Sequence, residues 1–196
     1  MSVKTKKKEM ALKTNYQEIW KNPMKCPYLE KIVLNIGVGS SGEELERAAA
    51  VLQTITGRRP VKTLSRKNIK EFGLRKGKSI GVKVTVRGEE AKKLLKRLLI
   101  VNNNKILRHS FDNYGNFGFG IREHISIPGV EYDNTIGIFG LDVCGRVVRP
   151  GMRVKTRRLK RSKIAKHHYV SREETQEYLK QEFNVDIVKK LDLEYM

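Results

Sequence analysis

Positive charge is distributed unevenly along this chain of 196 residues, and that distribution limits what the chain can fold into. Lys and Arg number 41 against 21 Asp and Glu, a formal net charge of +20. Residues 143–172 carry eleven basic side chains and no acidic one, and residues 58–78 carry nine against a single acid, Glu71. Such one-signed segments repel themselves in a compact state. Both are therefore expected to face a polyanion, whose phosphates they neutralise with release of counterions.

The remaining composition fits one domain with extensions. Hydrophobic residues make up 39% of the chain, which is enough for one core. No run approaches the roughly 20 apolar residues that span a bilayer, so no membrane partner is predicted. The basic N-terminus has no apolar stretch behind it and is not expected to be a secretory signal.

The cysteines and histidines show no ligand pattern. Cys26 and Cys144 lie far apart without a partner motif, which predicts neither a disulfide framework nor a zinc site and favours a reducing cytoplasm. His167 and His168 are adjacent, and we interpret them as surface histidines in a basic stretch. The sequence therefore predicts no metal and no cofactor.

Two periodicities in the sequence predict the secondary structure. Alternation of apolar and polar residues predicts strands at 31–38, 61–66, 80–87 and 136–143, with 116–122 part loop and part strand. Helical spacing predicts helices from Glu43 to a glycine cap at Gly57, over 89–101 and, after a capping box at Ser171 and Glu174, over 172–183, with a short helix at 16–20.

This mixed order predicts an α+β fold with a mixed or antiparallel sheet. Helices would pack on one sheet face, and the other face would stay open, with a basic C-terminal extension beside it. The open face would carry Asn35, Lys83, Thr85 and Arg87, which suit phosphate and ribose. The predicted units are a flexible basic tail (1–12), an α+β RNA-binding core (13–145), a basic arm (146–170) and a C-terminal helix on or near the core (171–196).

Residues 37–42 read Gly-Val-Gly-Ser-Ser-Gly between a predicted strand and helix, as in the dinucleotide fingerprint. The fingerprint also needs an acid about 20 residues further on, and residues 58–62 contain none, although arginines could hold a 2′-phosphate. Sustained βαβ alternation and a catalytic cluster are lacking as well. A tight glycine-rich turn is favoured over a cofactor site, and close approach of RNA to the glycine backbone is a third interpretation.

Two basic segments contain candidate contacts. In residues 71–79, Phe72 and Leu74 stand among glycines and bases, where an exposed apolar residue often touches a partner, although Phe72 folding back onto the core fits equally well. The one-signed run at 146–166 favours nucleic acid over a solvated arm. Its charge-based candidates for nucleic-acid contact are Arg149, Arg153, Lys155, Arg157, Arg158, Lys160, Arg161 and Lys163.

Several segments, in order over residues 29–143, together resemble a known family. They are 29–39 (LEKIVLNIGVG), 52–60 (LQTITGRRP), 65–77, 82–88 (VKVTVRG), 116–125 (NFGFGIREHI) and 132–142. The family is the large-subunit ribosomal protein numbered five in the bacterial scheme, which binds 5S ribosomal RNA. The part from residue 145 onward, with its basic arm and the run AKHH at 165–168, is similar to archaeal and eukaryotic members, and the archaeal type is favoured.

The resemblance implies a non-enzymatic component of the large ribosomal subunit in the cytoplasm. Such a protein binds 5S rRNA and helps attach it to the large-subunit rRNA in the central protuberance, beside the other 5S-binding ribosomal protein. The implied 5S contacts are Asn35, Gly37, Lys62, Thr63, Ser65, Arg66, Lys67, Lys83, Thr85 and Arg87. The implied contacts with P-site tRNA are Lys70, Phe72, Gly73, Leu74, Arg75, Lys76, Gly77 and Lys78.

Two other hypotheses stand beside this interpretation. One is a dinucleotide-dependent enzyme that uses the turn from Gly37 to Gly42. The other is a generic nucleic-acid compactor, which would bind DNA and RNA duplexes alike with an affinity set by charge alone.

Overall fold

A computed structural model describes residues 16–131, 133 and 135–189, and a five-stranded sheet lies at its centre. The strands are β1 (Tyr28–Gly37), β2 (Val61–Leu64), β3 (Ser79–Arg87), β4 (Lys105–Leu107), β5 (Asn116–Ile121), β6 (Leu141–Val148) and β7 (Asp186–Val188). The central sheet has the order β2-β3-β1-β6-β5, and every neighbouring pair in it is antiparallel. Strands β4 and β7 form a separate parallel pair.

The predicted helices are confirmed. They are α1 (Glu43–Thr56), α2 (Glu89–Val101) and α4 (Arg172–Phe183), and residues 16–20 are helical too. A further single turn, α3 (Arg153–Thr156), was not predicted. Gly57 ends α1 in the left-handed region, with its N–H donating to the Gln53 carbonyl at 2.7 Å. Ser171 caps α4, since its side-chain oxygen accepts from the Glu174 N–H at 3.3 Å.

One apolar core lies between the sheet and the helices. The inward positions of β1 are Ile32, Leu34 and Ile36, and each is at most 2% exposed. The predicted buried stripes of both long helices are confirmed: Leu45, Ala48, Leu52 and Ile55 in α1, and Ala91, Leu94, Leu95, Leu98 and Leu99 in α2. All of these belong to one cluster, so the predicted α+β class with a helix-covered face is confirmed.

The strand predicted at 136–143 is wrong in its bounds, because β6 starts at Leu141 and runs to Val148, so only residues 141–143 of the prediction are confirmed. Residues before it form a turn, in which Gly137 has a φ of 82° and the N–H of Ile136 donates to the Asp133 carbonyl. Strand β6 also continues past residue 145, where the boundary between core and basic arm was predicted. Residues 116–121, predicted as part loop and part strand, form β5 throughout.

The strand predicted at 61–66 is shorter in the structure, because β2 ends at Leu64. Ser65 is buried, and its N–H donates to the Lys78 carbonyl at 2.8 Å. The register shifts between Thr63 and Leu64, so the chain leaves the ladder there and enters the connection to β3.

Helix α4 packs onto the same core. Tyr178, Leu179 and Phe183 are buried in the common cluster, and burial, followed by Glu182, raises the pKa of Tyr178 to about 12. The predicted tail (1–12) and residues 190–196 lie outside the described residues. Among the helices of the described residues, none has the length and hydropathy needed to cross a bilayer.

Because the strands of the central sheet are antiparallel, each connection between them lies at one of the two ends of the sheet. The turn after β1, the loop 65–78 between β2 and β3, and the segment 122–140 between β5 and β6 share one end. Strand β6 ends at the opposite end, where the basic arm leaves the sheet. The face of the central sheet that α1 and α2 do not cover extends from one of these ends to the other.

Candidate nucleic-acid interface

Every second residue of the central strands points away from the helices, and these side chains form the open face. Register places them in three rows across the sheet. The first row is Arg87, Lys31, Arg146 and Asn116, the second is Thr85, Val33, Cys144 and Gly118, and the third is Val61, Lys83, Asn35, Asp142 and Gly120. Neighbours in a row are about 5 Å apart, so the three rows form one continuous surface.

The rows differ in charge. The first row carries three cations, of which Arg146 is partly neutralised by Glu30, with an Nε to Oε2 distance of 3.3 Å. The second row is small and uncharged. The third row places Lys83 and Asp142 on either side of the Asn35 amide. The open face therefore offers cations in its first and third rows, and hydrogen-bond donors and acceptors beside Lys83 in the third row.

Cys144 lies in the middle row with an exposed side chain. Partial burial, followed by the neighbouring Asp142 carboxylate, raises the pKa of its thiol. At neutral pH the thiol is therefore protonated and only weakly nucleophilic.

The structure brings together most of the predicted 5S contacts. Asn35, Lys83, Thr85 and Arg87 share the open face, and Thr63 joins them from β2. Lys62 does not, because it pairs in register with the buried Val82 and its Nζ binds Glu46 of α1. Gly37 ends β1 with open space above it.

Other residues of the open face were missed in the sequence. Lys31 could have been found, since it alternates with Asn35 in the same predicted strand. Arg146 and Cys144 were missed because the strand that contains them was placed five residues too early. Correct placement of β6 would have put both on this face.

The loop 65–78 has a defined conformation. Ile69 and Leu74 exchange two backbone hydrogen bonds, of 2.9 and 3.0 Å, and the Lys76 N–H donates to Asn68 Oδ1 at 2.6 Å. Lys70–Phe72 forms a 3₁₀ turn, and Gly73 follows it in the left-handed region. These bonds hold the loop as an extension of the β2–β3 hairpin.

The tip of this loop presents an aromatic side chain to solvent. Phe72 is 72% exposed, so it does not fold back onto the core. Of the other predicted tRNA contacts, Lys70, Gly73, Arg75, Lys76, Gly77 and Lys78 are exposed and Leu74 is half-buried. Ser65 at the base is buried, and its hydroxyl donates to the Lys67 carbonyl at 2.8 Å, whereas Arg66 and Lys67 are exposed.

The arm carries a dense positive charge on exposed side chains. Arg153, Lys155, Arg157, Arg158, Lys160, Arg161 and Lys163 are all exposed. A compact turn presents the middle of this set, in which Arg157 Nε donates to the Lys160 carbonyl at 2.9 Å and Lys160 has a φ of 50°. These seven side chains fit the predicted surface for a polyanion.

Arg149 differs from the rest of the arm, because its guanidinium forms hydrogen bonds to other groups of the protein. One nitrogen, Nη2, donates to both carboxylate oxygens of Glu174, at 2.8 and 2.7 Å, and Nη1 donates to the His167 carbonyl at 3.1 Å. The Arg149 and Glu174 side chains are only 12% and 2% exposed. Trp20 Nε1 donates to the same carboxylate at 3.1 Å. Arg149 therefore joins the arm to α4 and to the N-terminal helical segment.

Further contacts fix the returning end of the arm. A ring nitrogen of His168, Nε2, lies 2.7 Å from the Pro150 carbonyl oxygen. The Lys155 ammonium lies 5.2 Å from the centre of the Tyr169 ring. Among the described residues no cluster of histidine, cysteine and acidic side chains could hold a metal ion.

The glycine turn after β1 does not resemble a cofactor cradle. Gly39 and Gly42 have φ of 81° and 130°, so the turn itself requires glycine at both positions. Helix α1 begins with Glu43, Glu44 and Glu46, and these acids would repel a pyrophosphate. Because β1 has only antiparallel neighbours, the parallel βαβ setting of the fingerprint is also missing.

Comparison with known proteins gives matches over most of the chain. A family described as ribosomal protein L5 matches residues 22–75, and the family described as the C-terminus of the same ribosomal protein matches residues 79–181. A large ribosomal subunit protein uL5 from Sulfurisphaera tokodaii is 53% identical over 169 residues, covering 86% of this chain and 96% of that protein. Proteins of the same name from Pyrobaculum aerophilum and Methanococcus vannielii are 48% and 44% identical, covering 85% and 89% of this chain and 93% and 98% of their own lengths.

The buried ion pair leads to a prediction about stability. Glu174→Ala leaves the Arg149 guanidinium buried without its partner, and we expect it to lower the free energy of unfolding by about 3–5 kcal/mol. Urea denaturation followed by circular dichroism measures this. Glu90→Ala is the matched control, since Glu90 pairs with Arg58 at the surface with 67% of its side chain exposed, and about 0–1 kcal/mol is expected. Equal losses in the two variants would show that the buried pair does not anchor the arm.

Proposed function

Because the chain belongs to the ribosomal protein L5 family and is of the archaeal type, we propose that its open face binds 5S rRNA and helps attach it to the large-subunit rRNA. Family membership makes the chain a structural, non-enzymatic component of the large ribosomal subunit in the cytoplasm. The observation that carries the finer proposal is the open face itself. It is the side of the central sheet that α1 and α2 do not cover, and it is lined by Lys31, Lys83, Arg87 and Arg146.

The arrangement of the open face suits structured RNA. An RNA duplex has a wide, shallow minor groove that displays 2′-hydroxyls, and proteins recognise it by shape and by ribose and phosphate contacts. The cations of the first row are placed for phosphates. Asn35, Thr85 and Asp142 supply amide, hydroxyl and carboxylate groups that hydrogen-bond to ribose or base edges. Recognition of this kind reads the form of the RNA more than its sequence.

The other basic surfaces complete the proposal. The exposed tip of the loop 65–78 contacts P-site tRNA, using Phe72 and the surrounding bases at the end of the sheet. The arm, with its seven exposed cations, contacts large-subunit rRNA. The 5S rRNA lies in the central protuberance beside the other 5S-binding ribosomal protein. Arg149 is left out of the RNA contacts, because its guanidinium binds Glu174.

Lys83→Ala tests the open face directly. The variant removes a cation from the third row, so we expect weaker binding to 5S rRNA and a plot of log affinity against log salt that is shallower by about one unit per lost phosphate contact. Filter binding at several salt concentrations measures both. Lys96→Ala is the control of equal charge, since Lys96 is exposed on α2, away from the open face.

The two lysines separate the proposal from its alternatives. An unchanged slope for Lys83→Ala would remove Lys83 from the interface. Equal effects of the two substitutions would favour the generic compactor, in which position does not matter.

Phe72→Ala tests the proposed tRNA contact. Because the side chain is exposed, we expect the fold and the affinity for 5S rRNA to stay unchanged, while P-site tRNA binding falls by about tenfold through loss of a base or ribose contact. The measurement is tRNA binding to large subunits that carry the variant, with Phe72→Tyr as the variant that restores an aromatic ring. Loss of 5S rRNA binding in Phe72→Ala would contradict this division between loop and face.

A further inference from the structure

A groove of about 600 Å³ lies where the open face reaches its edge strand, β5. Gly118 and Cys144 of the middle row line it from the sheet. The segment 109–114, which precedes β5, forms its other side and includes Tyr114. Its size is within the range of small-ligand sites in proteins. The groove is therefore continuous with the surface proposed to bind RNA.

Two glycines of β5 on the open face are not explained by the fold. Neither Gly118 nor Gly120 has a positive φ, so their backbone is open to any residue. A Cβ on Gly118 would lie 3.5 Å from the Val143 carbonyl oxygen, an ordinary contact, and a Cβ on Gly120 would meet nothing within 4 Å. In contrast, a Cβ on Gly145 would lie 2.1 Å from the Phe117 ring. Packing therefore demands glycine at 145 and not at 118 or 120.

Glycine inside a strand is unfavourable, since it loses more conformational entropy than other residues and packs no side chain. Glycine in a strand often marks a place where a ligand or another backbone approaches closely. At 118 and 120 the bare backbone leaves a track beside Asp142 and Cys144 of the next strand. The bare backbone at Gly118 forms part of the groove, and the track continues to Gly120 outside it. Both features indicate an occupant.

The side of the groove offers a fixed aromatic ring. Tyr114 is 59% exposed, its N–H donates to Asp112 Oδ1 at 2.9 Å, and its ring meets the edge of Tyr169 at 5.4 Å between centroids. Asp112 Oδ1 also accepts from the Asn116 N–H at 2.7 Å, and Asp112 Oδ2 accepts from the Asn116 side-chain amide, so both oxygens of this acid have partners within the protein. Arg172 lines the groove, and its Nε donates to the Phe111 carbonyl at 2.8 Å.

We propose that this groove holds one unpaired nucleotide of the 5S rRNA bound to the open face. The base stacks on Tyr114, and the ribose and phosphate lie on the bare backbone at Gly118. Proteins commonly place extruded bases on aromatic side chains in this way. Arg146, which pairs with Asn116 across the strands, and Arg172 supply the positive charge that a phosphate needs. The inference rests on the proposed function, since it places the groove within the 5S rRNA interface.

The test uses four variants of the full chain. Tyr114→Leu keeps apolar bulk without an aromatic ring, and Gly118→Ala adds a methyl group to the floor. Ile138→Ala is the control for Tyr114, since Ile138 is 57% exposed at the opposite end of the sheet. Gly145→Ala is the control for glycine substitution, and it should lower the Tm because it displaces the Phe117 ring. Affinity for 5S rRNA, Tm and base-specific chemical probing of the bound RNA are measured for each.

We expect Tyr114→Leu and Gly118→Ala each to weaken 5S rRNA binding by about tenfold. The Tm of Gly118→Ala should equal or exceed that of the wild type. Chemical probing should show one unpaired nucleotide that the wild type protects and that both variants expose, and Ile138→Ala should leave binding and protection unchanged.

Lys83→Ala in the same assay separates the two proposals. If Lys83→Ala weakens binding while both groove variants bind as the wild type does, the open face stands and the nucleotide groove is overturned. If all three variants bind as the wild type does, the proposal that the open face binds 5S rRNA is overturned too. A lower affinity in the groove variants without a newly exposed nucleotide, or with a lower Tm for Gly118→Ala, also overturns the inference.

Discussion

The structure depends on burying only one face of its central sheet. Apolar residues alternate along β1, β3 and β6, and α1, α2 and α4 together cover the face they form. Strands with a period of two must then turn their other side chains to solvent. In this chain those residues include Lys31, Lys83 and Arg87, so the pattern that builds the core also builds the basic open face. A fold of this kind supplies the surface that we propose for RNA without any separate binding element.

The second constraint is the placement of a basic arm beside a basic sheet. Mutual repulsion would drive such segments apart in the free protein. The buried pair of Arg149 and Glu174, with Trp20 on the same carboxylate, joins the arm to α4 at its base. Of the eight arm residues predicted to contact RNA, Arg149 serves internal cohesion and the other seven stay at the surface. Neutralising those seven requires a polyanion, which agrees with membership of a ribosomal protein family.

Local patterns in the sequence predict much of this fold. The features that these patterns do not predict are those that depend on contacts between residues far apart in the sequence. Helix α2 was predicted over its full length, because its apolar residues follow the helical period throughout. Strand β6 was placed too early, because the apolar residues 136–139 favour a strand in the sequence. In the structure Asp133 and Gly137 form a turn there instead. Charge alone assigned Arg149 to RNA, and the family resemblance implied Lys62 as a 5S contact. Only the packed structure shows their partners, Glu174 and Glu46. The groove beside β5 is formed by segments that are distant in the sequence and that the sheet brings together. No local sequence motif therefore predicts it.

The central claim is that the open face is the RNA-binding surface, and the two natural cysteines test it without any substitution. Both thiols are exposed, but Cys144 lies in the middle row of the open face whereas Cys26 precedes β1. The measurement is the rate of alkylation of each thiol with and without saturating 5S rRNA, at mildly alkaline pH because the pKa of Cys144 is raised. The account predicts that RNA slows the labelling of Cys144 strongly and leaves that of Cys26 unchanged. Equal labelling of Cys144 with and without bound RNA would contradict it.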